Sequence, residues 1–364
     1  MAPIGCSLFG IILFDTTAAK DFYMINARNT WVYGLDSIRF MLATVVLIGH
    51  SGFIPDYELG SDPSIIAMAV KLTLANTFVG IAAVIGFFVI SGFVIHFPYR
   101  NGKPLHVSEF YSKRLLRIVL PLLVMFLLCW MFRLKVPFVV WSLYCEIIYY
   151  LFYPLLYRHL ISKPKNVDIL IVGSIMLALL AIGWFTNDFN VLLQHKVKET
   201  ANFHTPNHLL NWIFGFPAWL MGVRIAVHFD KIANSDTAFK KVILLRVLVW
   251  LVAMTCSVLR FHFAVSYKIT FIPAFSYLCY VWMATEISYY TAHRPIKWLE
   301  NGGKWSYSIY LFHMIFVDLY LHWIQPESVF AHILKLIVVL VFCYVMYLLV
   351  ERPSHQLIKR IKLR

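Results

Sequence analysis

Apolar runs of about 18–22 residues recur along the whole chain, each long enough for a helix to cross a bilayer. A segment in lipid must satisfy its own backbone hydrogen bonds, so such runs restrict the chain to an all-α, polytopic membrane fold. Ten are read, at 35–53, 77–97, 114–134, 138–157, 167–186, 209–227, 242–259, 269–290, 305–324 and 330–350. Composition agrees: 14% of the 364 residues are charged, against about 25% in a soluble domain. With ten spans and the N-terminus inside, 24 of the 32 Lys and Arg fall in cytoplasmic segments. That bias satisfies the positive-inside rule and places both termini in the cytoplasm. It also accounts for the formal charge of +14 without a nucleic-acid partner.

Three regions follow. Residues 1–30 form an N-terminal extension in which Met24 offers an alternative start. Residues 31–353 form the transmembrane domain, and 354–364 a basic tail. The six cysteines are scattered without a CxxC pair or other metal spacing, and are read as small packing residues.

Against this apolar background the polar groups stand out. Arg39 and His50 bracket one stretch of the first run, with ten residues and no other charge between them. Eleven helical steps return to the same face, roughly 16 Å along the axis. A charge in lipid costs on the order of 2.5–3.5 kcal/mol, so such a pair is expected to line a shared cavity. Asp36 lies one turn before Arg39 and is placed to orient it. Arg114 and Arg117, directly after Lys113, share a helix face at the start of the third run. Paired guanidinium forks of this kind suit phosphate oxygens, of a ligand or of anionic lipid.

Further along, Glu146 is the only acid of the fourth run, with Ser142 one turn before it and Tyr149, Tyr150 and Tyr153 close by. His50, Arg39 or a sugar hydroxyl are candidate partners, and a purely structural buried hydrogen bond is the alternative. Ser91-Gly92 ends the second run and allows close helix packing. Tyr307, Ser308 and Tyr310 open the ninth, and His313, on the Tyr310 face, adds a second imidazole. Glu351-Arg352-Pro353 reads as a helix cap, and Glu286 and Asp318 as lone acids.

The order of these motifs resembles the acyltransferase-3 family of integral membrane O-acyltransferases. The resemblance rests on Leu35-Asp36-Ser37-Ile38-Arg39 with His50, on Phe87 to Phe93, and on Phe110 to Arg117. It continues through Trp141 to Glu146, Ser306 to His313, and Glu351 to Pro353. Relatives often carry a second acid after the one matched by Glu146, where this chain has Ile147. The resemblance implies transfer of an acyl group, usually acetyl, from cytoplasmic acetyl-CoA (acyl-CoA) to a glycan or lipid-linked glycan at the bacterial inner membrane. Arg114, Arg117, Lys113 and Arg39 are then expected to hold the donor. His50 is expected to act as base, helped by Glu146, with Ser91, Ser142, Tyr307, Ser308, Tyr310 and His313 in support. The outer loop at about 187–208, with Asn187, Asp188, Asn190, His204, Asn207 and His208, offers polar groups to a sugar. A secondary transporter or flippase for a lipid-linked sugar is the alternative that ten spans with buried charges also allow.

Overall fold

The computed structural model describes residues 32–52, 64–200, 203, 210–324 and 328–360, and every regular element among them is helical. The expected extension over 1–30, with Met24, lies outside the described residues, as do His204, Asn207, His208 and the last four residues. The main helices are α1 (Leu35–His50), α2 (Ile65–Asn76), α3 (Gly80–His96), α4 (Val107–Met131), α5 (Val140–Ser162) and α6 (Lys165–Phe185). They continue with α7 (Asn211–Val227), α8 (Phe239–Phe263), α9 (Ser276–Ala292), α10 (Lys297–Gly303), α11 (Ser306–Trp323), α12 (Val329–Met346) and α13 (Arg352–Arg360).

Among the described residues, five helical stretches are long and apolar enough to cross a membrane: Ile65–Tyr99, Val107–Met131, Lys165–Phe185, Phe239–Phe263 and Phe330–Ile358. All ten expected runs are helical, but the other five helices fall short of that standard, which corrects the count of ten read from apolarity. α1, α7 and α9 have only 16, 17 and 17 residues. α5 and α11 are longer but carry the serines, tyrosines, Glu146 and His313 of the polar interior. The division has a physical cause. α4, α6, α8 and α12 expose Leu127, Val172, Leu244 and Val341 on the outside of the bundle, where side chains must be apolar. Helices enclosed by others are freed from that demand.

α3 and α7 form the centre. A Cβ on Gly92 would stand 1.9 Å from the Trp219 carbonyl oxygen, and one on Gly222 1.9 Å from that of Val89. The two backbones therefore touch, as small residues permit in membrane helices. α1 packs on α3, with Leu42, Ala43, Val46 and Leu47 buried.

The start of α1 is held from outside its own segment. Gly34 adopts φ +85°, a left-handed conformation that glycine accepts readily. Glu300 of α10 takes the place of a capping side chain, accepting from the amides of Gly34 and Ser37 at 3.1 Å and from Ser37 Oγ at 2.7 Å. Four N–H groups at a helix start lack intrahelical partners, and a carboxylate there also complements the helix dipole. At the other end of the chain, Pro353 offers no N–H to the preceding turn. The helix passes from α12 to α13 through a wide π turn, Tyr347–Glu351, which carries Glu351 inward to 1% exposure.

Candidate active site

A cavity of about 120 Å³ opens between α1, α3, α4, α5, α11 and the Tyr347–Glu351 turn. Its basic wall is Arg39 with Arg114 and Arg117, which share one face of α4. Arg39 Nη1 donates to Asp36 Oδ1 at 3.0 Å, so that charge is balanced locally. Arg114 and Arg117 form no ion pair among the described residues. Three guanidiniums gathered on one wall make that side of the cavity electropositive and suited to an anion.

The opposite wall is acidic and hydroxylic. Glu146 Oε1 accepts from Ser91 Oγ at 2.7 Å and from the Tyr150 hydroxyl one turn along α5. Glu351 Oε2 accepts from the Ser308 amide at 3.1 Å and Ser308 Oγ at 2.6 Å. Tyr307 lines the same space and donates to the Ile118 carbonyl at 3.0 Å. The carboxylates are thus each held by short local hydrogen bonds, as buried acids must be.

His50 lies elsewhere. Its ring is nearly coplanar with that of His313 (9°), with Nδ1 and Nε2 of the two rings 3.0 Å apart. Phe138 meets the His50 ring edge-on, with 5.1 Å between centroids. Neither histidine belongs to the cavity lining, so the expected continuous channel from Arg39 to His50 is interrupted. Tyr310 marks the interruption. It lines the cavity, its ring centroid is 6.5 Å from that of His313, and its hydroxyl is 2.6 Å from Ser142 Oγ. Both hydroxyls also reach the Val139 carbonyl, at 3.0 Å from Ser142 and 3.2 Å from Tyr310. Helix periodicity places Arg39 and His50 on one face but says nothing of what neighbouring helices insert between them.

Other expected residues take different places. Lys113 is paired with Glu109 on a partly exposed face of α4, outside the cavity. Glu146 bonds to Ser91 and Tyr150, while the side chain that meets the His50 ring nitrogen is His313. In the outer loop, Asp188 is not free for a sugar. It forms a buried ion pair with Lys268 at 2.9 Å, the two side chains 3% and 1% exposed. Asn187 Oδ1 is held by Asn190 at 2.9 Å. Glu286 is no lone acid, since Arg246 grips it with two hydrogen bonds of 2.6 and 2.9 Å.

The sequence signature of acyltransferase-3, an acyltransferase domain, spans residues 32–350. The chain belongs to this family. No curated protein and no solved structure matches it. As an acyltransferase-3 member it is a multi-pass, all-α membrane acyltransferase. Two acids that the sequence reading left without a functional role gain importance here. Glu351 read as a cap before Pro353 yet lies on the cavity wall, and Glu300 was not singled out yet holds the start of α1. The available signal for Glu351 was an acid at the end of a long apolar run, where a carboxylate needs a partner.

Proposed function

We propose that this acyltransferase moves an acyl group, acetyl in the first instance, from cytoplasmic acyl-CoA to a hydroxyl of an exported or cell-surface glycan. On this reading it sits in the bacterial cytoplasmic membrane as a multi-pass protein with both termini inside. The observation that carries the proposal is the cavity wall of Arg39, Arg114 and Arg117, of which Arg114 and Arg117 form no ion pair among the described residues. In an acyltransferase, a buried positive wall of this kind suits the phosphates of acyl-CoA.

The donor's phosphates rest on Arg114 and Arg117, and its arm passes Arg39 with the thioester directed at Tyr310. Separation of Tyr310 from Ser142 then opens the way to His50, roughly 16 Å along α1 from Arg39. There the imidazole takes the proton of the acceptor hydroxyl as its oxygen attacks the thioester carbonyl. The C–O bond forms, the C–S bond breaks, and CoA leaves with the proton. Glu146, with Ser91 and Tyr150, and Glu351, with Ser308, form the polar wall facing the guanidiniums. The test is incubation of membranes with labelled acetyl-CoA and analysis of the glycan. Label on glycan hydroxyls that disappears in His50→Ala supports the reading, whereas label released only as free acetate, or movement of a lipid-linked sugar without acylation, overturns it.

A further inference from the structure

Two of the four ring nitrogens of His50 and His313 meet, and the backbone decides the protonation of the pair. His313 is fully buried on α11, and its Nδ1 lies 2.9 Å from the carbonyl oxygens of both Ile309 and Tyr310. A carbonyl oxygen only accepts, so this nitrogen carries a hydrogen. In a neutral imidazole the second nitrogen then holds the lone pair. His313 Nε2 is therefore an acceptor, and His50 Nδ1, 3.0 Å away, is the donor. Among the described residues one lone pair remains unengaged, on His50 Nε2. That nitrogen faces Gly80 at the start of α3, where a Cβ would stand 3.5 Å from it.

We infer that His313 is a positioning residue that fixes His50 as its Nδ1–H tautomer, making Nε2, beside Gly80, the atom that receives the acceptor proton. The inference rests on the O-acyl transfer proposed above. Other groups around the pair do not compete for these nitrogens. Phe138, from the α4–α5 connection, and Tyr310, on α11, present rings to them. No carboxylate forms an ion pair with either histidine among the described residues. Lys335 of α12 donates to the Ser51 carbonyl at 2.5 Å, holding the backbone one residue beyond His50. An orienting imidazole does the work of a carboxylate while keeping the resting pair neutral, which avoids burying an ion. During transfer the acceptor O–H bond breaks and an N–H bond forms at Nε2. Nδ1–H continues to donate to His313 throughout, and the departing thiolate takes the Nε2 proton.

The experiment compares three variants with the wild-type protein in bilayers. In His313→Gln the amide oxygen occupies the Nε2 position and accepts from His50, so kcat is expected within about tenfold of wild type. His313→Leu has no acceptor and His313→Lys presents a donor. Both are expected to lose a factor of about 10²–10⁴ in kcat, the range for a misdirected general base, with KM for acyl-CoA little changed. Solid-state ¹⁵N spectra of histidine-labelled protein, assigned with His50→Asn, read the tautomer without any substrate and are expected to show His50 bearing its hydrogen on Nδ1. A hydrogen on Nε2, or wild-type kcat in His313→Leu, overturns the inference. The expected tautomer in a protein that acylates no glycan would instead overturn the proposed reaction and leave the positioning by His313 standing.

Discussion

The two polar regions along α1 are built on opposite principles. Around Arg39 the groups are charged, and among the described residues two of the three guanidiniums lining the cavity form no ion pair. Around His50 the hydrogen bonds among the described residues engage every ring nitrogen but His50 Nε2, and the pair can remain neutral. A site with guanidiniums outside any direct ion pair gains from binding an anion. A site with a complete hydrogen-bond chain gains from holding a proton position within tenths of an ångström. On the proposed function, binding and proton transfer fall to separate compartments, with Tyr310 as their common wall.

Substitutions that act on one compartment alone put this division at risk. The largest effect is expected from His50→Ala, a loss of about 10²–10⁴ in transfer rate with binding of a non-hydrolysable acyl-CoA analogue retained. Calorimetric titration showing that the analogue no longer binds would merge the two regions into one site. Arg117→Ala removes a charge-assisted contact of about 1.5–3 kcal/mol, so the donor's dissociation constant should rise roughly 10–100-fold while kcat changes less. Arg117→Lys should recover only part of that affinity, because a point charge does not reproduce the fork.

The mechanical supports should yield smaller changes. Glu300→Ala strips the carboxylate from the start of α1 and should cost about 1–2 kcal/mol of stability, seen as a lower melting temperature of the detergent-solubilised protein. Glu300→Gln, which keeps an acceptor, should cost less. Tyr310→Phe tests the wall itself. Loss of its hydroxyl removes about 1 kcal/mol from the closed arrangement, since Ser142 still satisfies the Val139 carbonyl. Thioester hydrolysis without acceptor should then rise about fivefold, and an unchanged rate would show that Tyr310 does not separate the compartments.

Legibility differed between these regions for a simple reason. The Arg39–Asp36 contact and the shared face of Arg114 and Arg117 are local, set by helix geometry within three residues. The engagement of Glu146 with Tyr150 is also local, one turn along α5, though the Ser91 hydroxyl comes from another helix. The contact of His50 with His313 joins residues 263 positions apart, and that of Ser308 with Glu351 joins residues 43 apart. No periodicity reports such meetings. The apolar runs were also legible, but not their packing, so helices that are shorter or carry the polar interior were counted with those apolar along their whole length.

From the amino-acid order alone came an all-α membrane protein, the acyltransferase-3 motifs, and the faces on which its guanidiniums and imidazoles stand. Those depend on hydropathy and on a 3.6-residue repeat, which any isolated helix obeys. Packing decided that Tyr310 stands between the arginine-lined cavity and the imidazole pair, that His313 hydrogen-bonds to His50, and that Glu300 anchors α1. Each of these is a contact between helices distant in the chain, and it exists only because the bundle closes in this one arrangement.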